Sequence, residues 1–101
     1  MSITQKITST KPGANFASLE DAINEIKSIL DWDGTCDANN TARTIVGTTT
    51  VIETRVWDED AFTEYTNKRV TEGIFQTNTT KMSDAGWVVT EEVDNVLRFS
   101  H

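Results

Sequence analysis

Residues 41–65 read TARTIVGTTTVIETRVWDEDAFTEY, and the change of pattern inside this stretch decides the fold. As far as Trp57 it is rich in Thr, Val, Ile and Arg with no helical spacing, which suits a pleated surface. Gly47 with the threonines behind it marks a tight turn. Two strands are therefore expected near residues 41–47 and 50–57. Asp58 follows as a cap, Glu59 and Asp60 suit the positive end of a helix, and Ala61, Phe62 and Tyr65 turn inward. Lys68 and Arg69 fall near the negative end of that helix, which accounts for the basic pair without an anion site.

Towards the N-terminus, residues 2–10 are β-branched and polar, with Ile3 and Ile7 on one face, and form a first strand that ends at Lys11-Pro12-Gly13. Ser18 caps the next element, and Asp21, three residues on, is placed to reach back to the cap amide. Leu19, Ala22, Ile23, Ile26, Ile29 and Leu30 then repeat at three and four, one apolar stripe, while Glu20, Asn24, Lys27 and Asp31 face water. Gly34 is the expected terminator of this helix.

Towards the C-terminus, Val70, Ile74, Phe75 and Met82 either extend the second helix or form a separate one, and Gly73 argues for a break. From Trp87 to Val93 the pattern alternates, with Trp87, Val89 and Val93 on one face and Val88 and Thr90 on the other. Asp94-Asn95 makes a turn before the apolar tail of Val96, Leu97 and Phe99.

The order strand, helix, strand, strand, helix, strand predicts a single α+β domain over residues 1–101. It is the order of a ferredoxin-like βαββαβ fold, a four-stranded antiparallel sheet with two helices on one face. A chain of 101 residues with 37% apolar side chains suits one core. The third strand, however, is apolar on both faces, Ile52 and Val56 on one and Val51 and Trp57 on the other, and the fourth repeats this. A sheet face bearing Val and Trp would form an exposed apolar patch, so a homodimer through the sheet face is expected.

The segment from Thr54 to Tyr65, in which a strand ends in Trp, an acidic cap follows and a helix opens with an aromatic residue, resembles a signature of dimeric α+β barrel proteins. The element order is similar to that of the antibiotic-biosynthesis monooxygenase-like superfamily. Length and Thr-rich, acidic style resemble small uncharacterised proteins of marine phages and ocean metagenomes. The resemblance implies a dimeric α+β barrel and leaves activity open, because relatives include cofactor-free oxygenases, haem-degrading enzymes and dye-decolorising proteins. Haem-degrading members depend on an iron-ligating His, and the sole His here is the terminal His101, so no haem or other cofactor is expected.

Nine Lys and Arg against sixteen Asp and Glu give a net charge of -7. No basic stripe interrupts this background, so neither nucleic acid nor an anionic membrane is an expected partner. Cys36 is the only cysteine, which excludes an intrachain disulfide. The start Met-Ser-Ile-Thr-Gln-Lys lacks a signal-peptide pattern, and no run approaches the roughly 18 apolar residues of a membrane span, so the expected location is cytoplasmic. The sequons at Asn39 and Asn78 are then not expected to be glycosylated.

Few residues suggest chemistry. Residues 31–39 begin like a calcium loop, but Cys36 stands where the turn glycine belongs and Ala42 where the bidentate Glu belongs, so no metal site is expected. Cys36 lacks a neighbouring base or cation, and one terminal His permits no Ser-His-Asp arrangement. Asp58-Glu59-Asp60 and Glu91-Glu92-Asp94 read as surface charges. The remaining constellation is Arg55, Trp57, Phe62, Tyr65 and Trp87, an aromatic-lined space between sheet and helices with Arg55 as anion anchor, or else core and interface packing. The sequence thus points to a homodimeric module without a catalytic motif. The alternative is a small-molecule-binding or cofactor-free oxygenase-like enzyme with a pocket between sheet and helices.

Overall fold

In the computed structural model, which describes residues 1–100, the chain forms one antiparallel sheet with three helices. His101 lies outside the described residues. Strand β1 (Ser2–Thr10) is central, hydrogen-bonded to β3 (Thr50–Asp58) on one side and β4 (Val88–Val93) on the other. Strand β2 (Asn40–Val46) flanks β3 and β5 (Val96–Ser100) flanks β4, giving the order β2-β3-β1-β4-β5. Helix α1 (Leu19–Leu30) connects β1 to β2, and α2 (Glu59–Thr71) and α3 (Ile74–Asp84) connect β3 to β4.

The expected four-stranded, two-helix ferredoxin-like arrangement is therefore corrected: the sheet has five strands and the helices number three among the described residues. The dimeric α+β barrel built on that layout goes with it. Two short stretches cause the difference. Asp94 and Asn95 both adopt positive φ, 49° and 67°, which turns the apolar tail back along β4 as a fifth strand. Gly73, at φ 70°, ends one helical stretch and starts another, so residues 59–84 make two helices.

Helix α1 begins as its sequence dictates, with the Ser18 hydroxyl accepting the Asp21 amide at 3.2 Å. It ends earlier than Gly34. Asp31 takes the left-handed conformation (φ 52°) and its N–H closes on the Lys27 carbonyl, leaving Gly34 in the following loop. Asp58 precedes α2 but makes no side-chain cap hydrogen bond.

All three helices cover the sheet face that carries the odd-numbered residues of β1 to β4. Ala22 and Ile26 of α1, Val51 of β3, Met82 of α3 and Trp87 form its buried cluster, with Phe16 stacked on Trp87 at 5.6 Å. Trp57, 1% exposed, belongs to the same face. The opposite face of the sheet presents Thr8, Thr44, Ile52, Thr54, Val56 and Thr90, and an ion pair between Lys6 and Glu92 at 3.7 Å. The tryptophans expected at an open face thus lie under the helices, because the strand period of two sends Trp57 with Val51 and Ile52 with Val56. No helix is long and apolar enough to cross a membrane among the described residues.

Candidate functional site

The registers place Arg43, Glu53, Ile7, Glu91 and Phe99 in one row across the covered face, and Thr41, Arg55, Gln5 and Val93 in the next. Four ionisable groups thus point beneath the helices, where an unpaired charge is costly. They are tied into one network. The Trp57 indole N–H donates to Gln5 Oε1 at 2.9 Å, and Gln5 Nε2 donates to Glu91 Oε2 at 2.6 Å. Arg69, in the last turn of α2, donates to both oxygens of Glu91, at 2.8 and 2.9 Å. Its guanidinium lies over the rings of Phe75 (4.6 Å) and Tyr65 (5.0 Å), a cation–π contact on each.

Tyr65 joins the two halves. Its hydroxyl oxygen accepts from Arg69 at 3.3 Å and from Arg55 at 3.4 Å, while its ring stacks on Trp57 at 4.7 Å. Arg55 Nε lies 2.5 Å from Glu53 Oε1, a close ion pair that occupies this nitrogen. Glu53 Oε2 accepts from Arg43 Nε, and Arg43 NH2 donates to the Gly34 carbonyl at 2.6 Å. Arg43 also lies over the Trp32 ring at 5.1 Å, which fixes loop 31–39 to the edge of the sheet.

Pairing overrides desolvation throughout. Burial acts most strongly, to lower the Arg55 pKa, yet the Glu53 carboxylate and the other neighbours of the guanidinium together outweigh it and hold it above its ordinary value. Burial likewise works against Arg69, and the hydrogen bonds to Glu91 raise it. For Glu91, burial acts upward, but the bonds from Arg69 and Gln5 keep the carboxyl below the usual range. All three stay ionised near neutral pH.

A cavity of about 570 Å³ lies between this network and the helices. Its walls are apolar over Ile7, Ile26, Val89, Phe75 and Met82, and polar at Glu53, Arg55, Tyr65, Arg69 and Glu91. It reaches the surface beside α3 and the loop holding Asp31, Asp33 and Asp37, all exposed. Thr35 donates both its amide and its hydroxyl to Asp33 Oδ1, at 2.9 and 2.7 Å, and holds that carboxyl below its ordinary pKa. Because it opens to the surface, the space is accessible to water and to a small molecule.

Of the five residues singled out in the sequence, Arg55, Trp57 and Tyr65 line this cavity together. Phe62 packs edge-on behind Trp57 at 5.9 Å, and Trp87 lies apart in the core, its indole N–H donating to Glu25 at 3.0 Å. Gln5, Glu53, Arg69 and Glu91 were not foreseen. Arg69 turns inward to Glu91, whereas Lys68 beside it stays exposed, so helix-end electrostatics describes only the lysine. Glu91 is 4% exposed and not a surface charge. One signal was legible: in Val51-Glu53-Arg55-Trp57 two charged residues alternate in phase with two buried apolar ones. Cys36 also lines the cavity, its thiol 3.1 Å from the Thr41 hydroxyl.

No family model matches the chain, and comparisons with curated proteins and with solved structures return no significant match.

Proposed function

We propose that this chain is a small-molecule-binding protein whose ligand sits between the helices and the sheet. The observation that carries the reading is the state of Ile7. It lies at the middle of the central strand, on the covered face, flanked in register by the buried Glu53 and Glu91, and yet it is only half-buried. A residue so placed is normally sealed by the helix above it. Here the cavity stands over it, and its volume falls within the roughly 300–1,000 Å³ of ordinary ligand pockets. A non-enzymatic module that uses its aromatic residues only for packing would lack such a space.

The test is uptake of a neutral fluorescent apolar probe, N-phenyl-1-naphthylamine, by the full chain. Saturable binding at one site, weakened in Ile7→Trp because the larger ring intrudes over the central strand, is the expected result. Uptake that never saturates, or that Ile7→Trp leaves intact, would remove the assignment.

A second reading, self-association, is favoured by the uncovered face. Val46 and Val88 are exposed there, Ile52 and Val56 are half-exposed, and the Lys6–Glu92 pair at its middle lets a two-fold partner meet each charge with its opposite. The two readings use opposite faces of the sheet and are independent.

A further inference from the structure

We propose that the ligand of this cavity is a monoanionic organic carboxylate, gripped at its charged end by Arg55 and Tyr65 and lying with its apolar body across Ile7 and Val89. The proposal rests on the cavity being a binding site and specifies what enters it.

Charge within the network comes first. Arg43, Arg55 and Arg69 face Glu53 and Glu91, so one positive charge is in excess among ionised groups that are largely withdrawn from water. Glu91 is fully committed to Arg69 and Gln5. Glu53 is divided, with one oxygen on Arg43 and the other beside Arg55. Arg55 is left with least: it is 9% exposed, its Nε is held 2.5 Å from Glu53 Oε1, and its two terminal nitrogens make one hydrogen bond between them, the 3.4 Å contact to Tyr65. Four of the five N–H donors of a guanidinium sit on those terminal nitrogens, so donors remain there for a further acceptor.

Tyr65 supplies the matching donor. Its oxygen already receives N–H groups from Arg55 and Arg69, so its own proton remains to be given to a ligand. Guanidinium and phenol together suit an acceptor with two oxygens, which a carboxylate provides in one plane. One added negative charge neutralises the network. A phosphate dianion would instead leave it negative beside Glu53 and Glu91.

The mouth selects in the same direction. Asp31, Asp33 and Asp37 are exposed there, so a polyanion meets repulsion on entry, whereas a single charge on an apolar body is screened at physiological salt. The apolar walls then favour an alkyl or aromatic body over a sugar or a nucleotide.

The experiment is displacement of N-phenyl-1-naphthylamine from the full chain by decanoate, decanol and decyl phosphate. Decanoate is expected to compete at about a tenfold lower concentration than decanol, the ratio for one charge-assisted hydrogen bond, and better than decyl phosphate. Arg55→Gln should bring decanoate to the decanol value. Tyr65→Phe, which removes only the hydroxyl, should weaken decanoate severalfold and decanol less. Equal competition by decanoate and decanol would overturn the carboxylate assignment while leaving the cavity reading standing, and stronger competition by decyl phosphate would overturn it in favour of a phosphate. Failure of the neutral probe to bind at all would refute the underlying cavity reading.

Discussion

Arg69 reaches back from the end of α2 to hold Glu91 of β4 by two parallel hydrogen bonds, at 2.8 and 2.9 Å, and so pins the helical layer to the sheet across the cavity. Helix α2 has no fully buried residue of its own. Its docking relies on this ion pair and on the stack of Tyr65 against Trp57. Replacing Glu91 by Gln keeps the shape but strands a guanidinium beneath the helix. The expected loss is about 3 kcal/mol, the lower end for a broken buried pair, read as a fall in the urea midpoint. An unchanged midpoint would mean that the pair is solvated and contributes little.

The same pair sets the acid sensitivity. Glu91 has its carboxyl held below the ordinary value near 4.5 in the folded chain, so the unfolded chain binds the proton more readily. The stabilisation is complete above that ordinary value and is lost as pH falls through the lower, folded one. Thermal midpoints of the native chain should therefore drop as the pH falls below that ordinary value, and Glu91→Gln should flatten part of that drop. Parallel curves for the two proteins would assign the acid sensitivity to other carboxylates.

How far the sequence disclosed this arrangement depended on the kind of signal. The stripe of α1 was legible because six apolar residues recur at helical spacing, and β3 because its inward set alternates. Glu53 and Glu91 were hidden for a topological reason. A carboxylate on a strand looks like a surface charge until the strand's neighbours are known, and here β1 separates the two glutamates so that both face the helices around Ile7. Gln5 gave no signal, since a polar residue in a Thr-rich strand is unremarkable until its partners, Trp57 and Glu91, are brought to it from 52 and 86 residues away. The fifth strand was concealed by its brevity, and only the two left-handed residues at Asp94 and Asn95 reveal why the tail pairs.

Gln5 is fully buried and bridges Trp57 and Glu91: its carbonyl oxygen accepts from the Trp57 indole and its amide nitrogen donates to the Glu91 carboxylate. Gln5→Leu leaves an N–H without an acceptor and a carboxylate short of one donor. The cost should be about 2 kcal/mol or more by chemical denaturation. In the background of Trp57→Phe, which has no indole N–H, the same change should cost about 1 kcal/mol less. Simple additivity of the two substitutions would count against the bridge.

Gly73 separates α2 from α3 at φ 70°, and a Cβ built there meets no atom within 4 Å. Any penalty for a side chain is therefore one of backbone conformation alone. Gly73→Ala should cost about 1 kcal/mol, and Gly73→Asn less, because Asn tolerates the left-handed region. If Ala were neutral, α2 and α3 would be able to run on as one helix, and the lip of the cavity formed by Ile74 and Phe75 would shift with it.

Self-association through the uncovered sheet face gives the last prediction. Ile52 lies in the row Thr44, Ile52, Thr8, Thr90, at the middle of that face, and is only half-buried in the single chain. A lysine there should leave the fold of the single chain almost unchanged, since its alkyl part still covers the sheet while its ammonium reaches water. In a face-to-face pair, however, it would bring two like charges together near the two-fold axis. Sedimentation equilibrium should thus give about twice 11.3 kDa for the native chain and 11.3 kDa for Ile52→Lys. A native chain that stays at 11.3 kDa at about 500 µM would show that the Thr, Val and Ile of this face are content in water.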